Sequence, residues 1–183
     1  MPLAGTPAPD SVPGALAFRG TVLGAAHAGS GPRYGIVAIR LLAPAVNTSR
    51  PVLQWVNDLA TSWNAPCILF ELNAWTARYA LSDGGQEATQ AAYAIGSWQV
   101  VEFWITPEAL GTAVAGGPSS TVARAAPIPA TTGLMLGGGT SFGGPDNPAD
   151  FDLAGLFLCD GVPTSDQRAR LRAWARAQIP EVT

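Results

Sequence analysis

From Ala15 onward the chain alternates short apolar stretches with turn signals, a pattern that predicts β-strands joined by tight connections. ALAFRGTVL comes first, RYGIVAIRLLAP follows the break AGSGP, and PVLQWVND at 51–58 is bounded by Pro51 and Asn57-Asp58. CILFEL at 67–72 meets WTARYAL at 75–81 across Asn73-Ala74, the layout of a hairpin. In its second arm Trp75, Ala77, Tyr79 and Leu81 share one face while Thr76 and Arg78 share the other, the period of a half-exposed strand. Residues 82–96 have no bulky alternation and read as a polar, small-residue loop. SWQVVEFWIT carries large apolar groups on both faces: Val101, Phe103 and Ile105 point one way, and Trp98, Val100, Glu102 and Trp104 the other. Such a strand belongs inside a two-layer structure. ALGTAVAGG, a Pro-punctuated run at 118–129 and TTGLMLGGGT then lead through the glycine-rich loop SFGGPDNPAD to a last strand, DFDLAGLFLCDG.

Only residues 165–178 read as helix. Thr164 and Gln167 have capping-box spacing, Pro163 ends the strand before them and Pro180 ends the helix. At 100° per residue Leu171, Trp174, Ala175 and Gln178 share one side, so the helix is expected to pack by Leu171 and Trp174. Arg168, Arg172 and Arg176 fall opposite and are expected to form a solvated outer stripe near the negative helix end. About eight to ten strands closed by one helix imply an all-β fold, a two-sheet antiparallel sandwich with one C-terminal amphipathic helix.

The length of 183 residues fits one domain, and 48% hydrophobic against 13% charged residues excludes disorder for the bulk of it. Residues 1–14 hold four prolines and little to bury, so they read as an extended Pro-rich arm, suited to docking on a partner, ahead of a domain at 15–183. Ten arginines against thirteen acids leave a net charge of −3, with no field to hold a polyphosphate, so nucleic acid is not an expected partner. The first eighteen residues lack the basic start and apolar middle of a Sec signal, and no apolar stretch is long enough for membrane insertion. Cys67 and Cys159 both lie in apolar runs, where two buried thiols in a reducing cytoplasm, or one interstrand bridge, would fit.

Three segments, LAFRGT, GSWQVVEFWIT and DFDLAGLFLCDGVPTSDQRARLRAWARAQI, together resemble the concanavalin A-like lectin and glucanase superfamily, specifically its laminin-G-like jelly rolls. In the last segment Ala154, Gly155, Leu156 and Phe157 match the closing strand, Thr164 and Gln167 the helix cap, and Leu171 and Trp174 the helix positions where a Tyr-Leu pair is more usual. The resemblance covers residues 15–179, rests on structural motifs, and implies a jelly roll without selecting among the family's binding modules, hydrolases, lyases and structural modules.

The residues themselves argue against catalysis. The resemblance implies, for a retaining glucanase, an E-x-D-x-x-E strand that sets nucleophile and acid about 5 Å apart, and Glu71, Glu87, Glu102 and Glu108 are instead isolated. His27 is the one histidine, read as a solvated loop residue, and neither Ser30 nor Ser97 sits in a nucleophile elbow. Two distant cysteines and one histidine do not make a zinc site. No cofactor is expected. The one metal candidate is calcium, on the oxygens of Asp146, Asn147 and Asp150 with Asp152 beside them, against the simpler reading of a structural Asx-rich loop. For glycan binding the candidates are Trp63, Asn64, Trp75, Arg78 and Tyr79, which combine stacking rings with polar groups for hydroxyls.

A fold of this kind without an export signal is expected to be made in the cytoplasm and carried out on a particle. The sequence therefore predicts a non-catalytic virion-surface component of a phage or phage-like particle, a decoration, head-fibre or tail module. It would form a homo-oligomer, associate with capsid or tail proteins and contact host surface polysaccharide. The alternative is a free carbohydrate-binding module or degenerate glucanase-like protein.

Overall fold

A computed structural model describes every residue except 1, 5–7, 10–13, 20–21, 43–49, 57–67, 74–77, 83–86, 116, 125–126, 142–143, 147–149 and 181–183. The strands in chain order are β1 (Pro2–Ala4), β2 (Ala8–Pro9), β3 (Leu16–Arg19), β4 (Val22–Gly29), β5 (Arg33–Leu41), β6 (Arg50–Val56), β7 (Ile68–Asn73) and β8 (Arg78–Ser82). They continue as β9 (Glu87–Ala92), β10 (Trp98–Ile105), β11 (Ala109–Val114), β12 (Ser119–Ala123), β13 (Thr131–Leu136), β14 (Gly139–Ser141), β15 (Gly144–Asp146) and β16 (Asp150–Asp160), and the helix α1 (Ser165–Gln178) closes the chain. Two seven-stranded antiparallel sheets result, ordered β1-β4-β13-β6-β7-β8-β9 and β12-β11-β10-β5-β16-β3-β2, with β14 and β15 as a separate hairpin.

The strand alternation decides which side chains meet. Val101, Phe103 and Ile105 of β10, Val37, Ile39 and Leu41 of β5 and Phe151 and Leu153 of β16 pack against Trp55, Phe70, Tyr79 and Leu81 of the other sheet. The Phe70 and Phe103 rings stack across the interface at 4.4 Å, and Trp55 meets Phe103 edge-on at 6.0 Å. The predicted β7–β8 hairpin forms, but its register runs from Asn73 with Arg78 to Leu69 with Ser82, so Asn73 pairs inside the ladder and is not a turn residue.

Four expectations change. ALAFRGTVL is not one strand, because β3 joins the second sheet and β4 the first, so the chain crosses between layers there. The predicted loop 82–96 contains β9, an edge strand of small and polar residues that needs no alternating bulk because only one neighbour, β8, pairs with it. SFGGPDNPAD overlaps the β14–β15 hairpin, in which Gly139 pairs with Asp146. The Pro-rich arm is extended where described, yet β1 pairs with β4 and β2 with β3, so it borders both layers of its own sandwich.

Arg33 occupies an unusual position. It is 1% exposed at the end of the core, its guanidinium lies 5.5 Å over the Trp55 ring, and it donates to the Gly29 carbonyl. Among the described residues its Nε and Nη1 find no hydrogen-bond partner, and burial pushes its pKa down, partly opposed by the charge of Asp160. A buried cation with unspent donors costs more than an apolar chain of similar length. Arg33→Met is therefore expected to raise the urea midpoint, by about 1 kcal/mol of stability, in equilibrium unfolding.

Candidate functional site

The outer face of the second sheet carries the polar architecture. There β5 presents Tyr34, Ile36 and Ala38 and β10 presents Val100, Glu102 and Trp104, and α1 covers them, with Ala175 fully buried at the closest approach. The turn that delivers the helix needs Gly161, whose φ of +79° is unfavourable for any side chain. Thr164 then caps α1 reciprocally: its backbone N–H donates to Gln167 Oε1 at 2.9 Å, and its hydroxyl accepts from the Gln167 N–H at 3.4 Å.

Arg168 and Arg172, four residues apart, reach from this helix to one carboxylate. Glu102 is 1% exposed; its Oε2 accepts from Arg168 Nε at 2.8 Å and Tyr34 Oη at 2.9 Å, and its Oε1 from Arg172 Nη1 at 2.9 Å. The Arg168 guanidinium lies 4.4 Å over Trp104 and 5.6 Å over Tyr34, which fixes its plane. Beside this cluster opens a pocket of about 370 Å³ lined by Glu102, Gly117, Ser119, Ser165, Arg168 and Arg172. Farther along the same face Asp152, fully buried, accepts from Arg19 Nη2 at 2.6 Å and Arg40 Nε at 2.7 Å, and Arg40 lies 5.2 Å over the Trp98 ring.

Burial pushes the Glu102 carboxyl up, but the hydrogen bonds from Arg172, Arg168 and Tyr34 together with the Arg168 charge outweigh it and hold it below the ordinary 4.5. Its proton is thus bound more weakly in the folded chain than in the unfolded one. The stabilisation is fully present above the ordinary value and is lost as pH falls through the depressed one. As pH falls below the ordinary 4.5 and through the depressed value the denaturation midpoint is expected to drop, and Glu102→Gln is expected to flatten that part of the profile.

The arginine stripe is the largest correction to the sequence reading: Arg168 and Arg172 face the sheet, whereas Trp174 sits at the rim, 38% exposed and edge-on to Phe157. A helical wheel ranks sides by hydropathy and does not show that a buried carboxylate lies below. The available signal was Glu102 itself, set between Val100 and Trp104 on a face that had to be covered.

Among the glycan candidates, Tyr79 is fully buried, stacks on Phe70 and donates from Oη to Gln99 Oε1 at 2.9 Å, so its ring is closed to a sugar. Arg78 is placed by its backbone in β8, paired with Asn73 and Ala92, while Trp63, Asn64 and Trp75 lie outside the described residues. The calcium set is divided: Asp146 ends β15, Asp150 begins β16, Asn147 lies outside the described residues, and Asp152 is spent on two arginines. His27 is on β4, half-buried, and not in a loop, since the Gly-Ala run around it pairs with β13. Cys159 is a free thiol that donates to the Gly161 carbonyl, and Cys67 lies outside the described residues.

Domain 4 of AbnA, a GH43 extracellular arabinanase from Geobacillus stearothermophilus in complex with arabinotriose, superimposes with a TM-score of 0.66 at 14% identity, over 92% of this chain and 82% of that one. Domains LG4-5 of the mouse laminin alpha1 chain give 0.61 at 18% identity, over 89% of this chain and 48% of that one. The fold is a concanavalin A-like jelly roll. The Ruminococcus gnavus IT-sialidase CBM40, bound to alpha2,3 sialyllactose, shares it with a TM-score of 0.61 at 11% identity, over 78% of this chain and 83% of that one. The jelly roll spans only 28% of the length of Trypanosoma rangeli sialidases that it also matches. No family model and no curated protein matches the sequence.

Proposed function

We propose that this jelly roll is a non-catalytic glycan-contact module carried on the surface of a phage or phage-like particle. The observation that carries the reading is the use made of the buried carboxylates. Glu102 and Asp152 are each clamped between two arginines, which commits their oxygens as ion-pair acceptors and leaves them closed to a substrate atom. Beside Glu102, a polar pocket presents guanidinium and hydroxyl groups to solvent, an arrangement suited to holding a ligand. The neighbours solved with arabinotriose and sialyllactose support a saccharide as that ligand.

The particle setting is supported by the sheet border. β1 pairs with Val22 and Leu23 of β4, and beyond them Ala25, Ala26 and Ala28 are exposed on a small-residue edge open to a strand from a neighbouring subunit, one way for capsid or tail proteins or further copies to join.

The purified chain is expected to bind surface polysaccharide on a glycan array, to release no reducing ends from it, and to co-sediment with capsid or tail proteins. Release of reducing ends would make it an enzyme. A glycan-binding monomer that joins no such protein would be a free carbohydrate-binding module, a reading favoured by the 83% coverage of the R. gnavus module.

A further inference from the structure

We propose that the pocket between α1 and the outer sheet face takes the carboxylate of an acidic sugar residue, a proposal that rests on the glycan-contact reading and gives it a substrate class and a site. The first argument is charge. Arg168 and Arg172 bring two positive charges to one negative charge on Glu102, and a monoanionic ligand completes the balance. A neutral sugar leaves the surplus, and a phosphomonoester at about −2 overshoots it.

The second argument is geometry. Arg168 spends Nε on Glu102 and also interacts with the Tyr34 hydroxyl, while Arg172 spends Nη1 on Glu102 and, among the described residues, makes no further side-chain hydrogen bond. The two side chains are 23% and 29% exposed, so their remaining donors reach the pocket. Glu102 holds both forks from below and Trp104 holds Arg168 flat, so little rotamer freedom is lost when a planar carboxylate docks. Ser119 and Ser165 add hydroxyls to the pocket lining, and a volume of about 370 Å³ lies in the range of small-ligand sites.

The test titrates the whole chain by calorimetry with a glucuronate-bearing oligosaccharide, its carboxyl-reduced counterpart, and a sulfated analogue. In parallel, the arginine Nε–H resonances are followed by NMR. Binding of the uronate form alone is expected, with shifts at Arg168 and Arg172, and Arg172→Gln should weaken it about tenfold or more. Ser119→Leu narrows the pocket without touching the ion pairs and is expected to weaken binding while leaving the unfolding midpoint in place. Equal affinity for the carboxyl-reduced form, or indifference to both substitutions while glycans still bind, overturns the sugar-acid assignment but leaves the glycan-contact reading standing. Preference for the sulfated form overturns the carboxylate. Failure to bind any member of the array or these probes overturns both.

Discussion

A Glu102→Ala chain is expected to unfold about 3 kcal/mol more easily than the parent in urea, because the substitution strips the counter-charge from two arginines at once. Breaking a buried pair usually costs about 3 to 5 kcal/mol, and partial exposure of Arg168 and Arg172 places this case at the lower end. What remains is a guanidinium held over Trp104 with no anion, and a Tyr34 hydroxyl without its acceptor. Tryptophan fluorescence should respond with the midpoint, because Trp104 lies beneath the released arginine. Arg172→Ala, by contrast, leaves Arg168 to neutralise the carboxylate and is expected to cost about 1 kcal/mol. Costs near zero for both substitutions would mean that Ala175 and Leu171 dock the helix without help from the ion pairs.

Gly35→Ala is expected to destabilise the core by about 3 kcal/mol, the upper end for adding one methyl to a filled interior. Gly35 pairs across the sheet with Phe103, and a Cβ there would lie 2.3 Å from two ring atoms of Phe103 and 2.9 Å from Leu158 Cδ2. The ring cannot simply lift away, since Phe70 stacks on it and Trp55 meets it edge-on from the opposite layer. Phe103→Leu should cost stability alone yet relieve part of the Gly35→Ala penalty. A double-mutant cycle with no coupling would show that the ring has another place to go.

Much of this architecture was legible in the chain. The two faces of 98–105 separate in the structure as their alternation implies, and the capping box at Thr164 and Gln167 marks the helix start because a cap is a local hydrogen-bond pattern. β9 was not legible, since Glu87-Ala-Thr-Gln-Ala-Ala has no bulky alternation and becomes a strand only through its pairing with β8. The candidate site lay beyond the sequence for a related reason. Arg168 and Arg172 look like ordinary solvated positions until the fold sets Glu102, 66 and 70 residues away, beneath them. Tyr79 was misjudged in the opposite sense: an aromatic on a half-polar strand suits a sugar platform, yet its partners Phe70 and Gln99 close it off.

The path of the first strands determines how the molecule would bear load. β1 belongs to one layer, β2 and β3 to the other, and β4 to the first again, so the N-terminal segment is laced along one border of the sandwich by pairings of two to four residues. Tension applied through that end would peel these stitches one after another while the stacked rings of Phe70 and Phe103 stayed shut. A tether attached there would pay out slack in small steps before the body of the domain gave way.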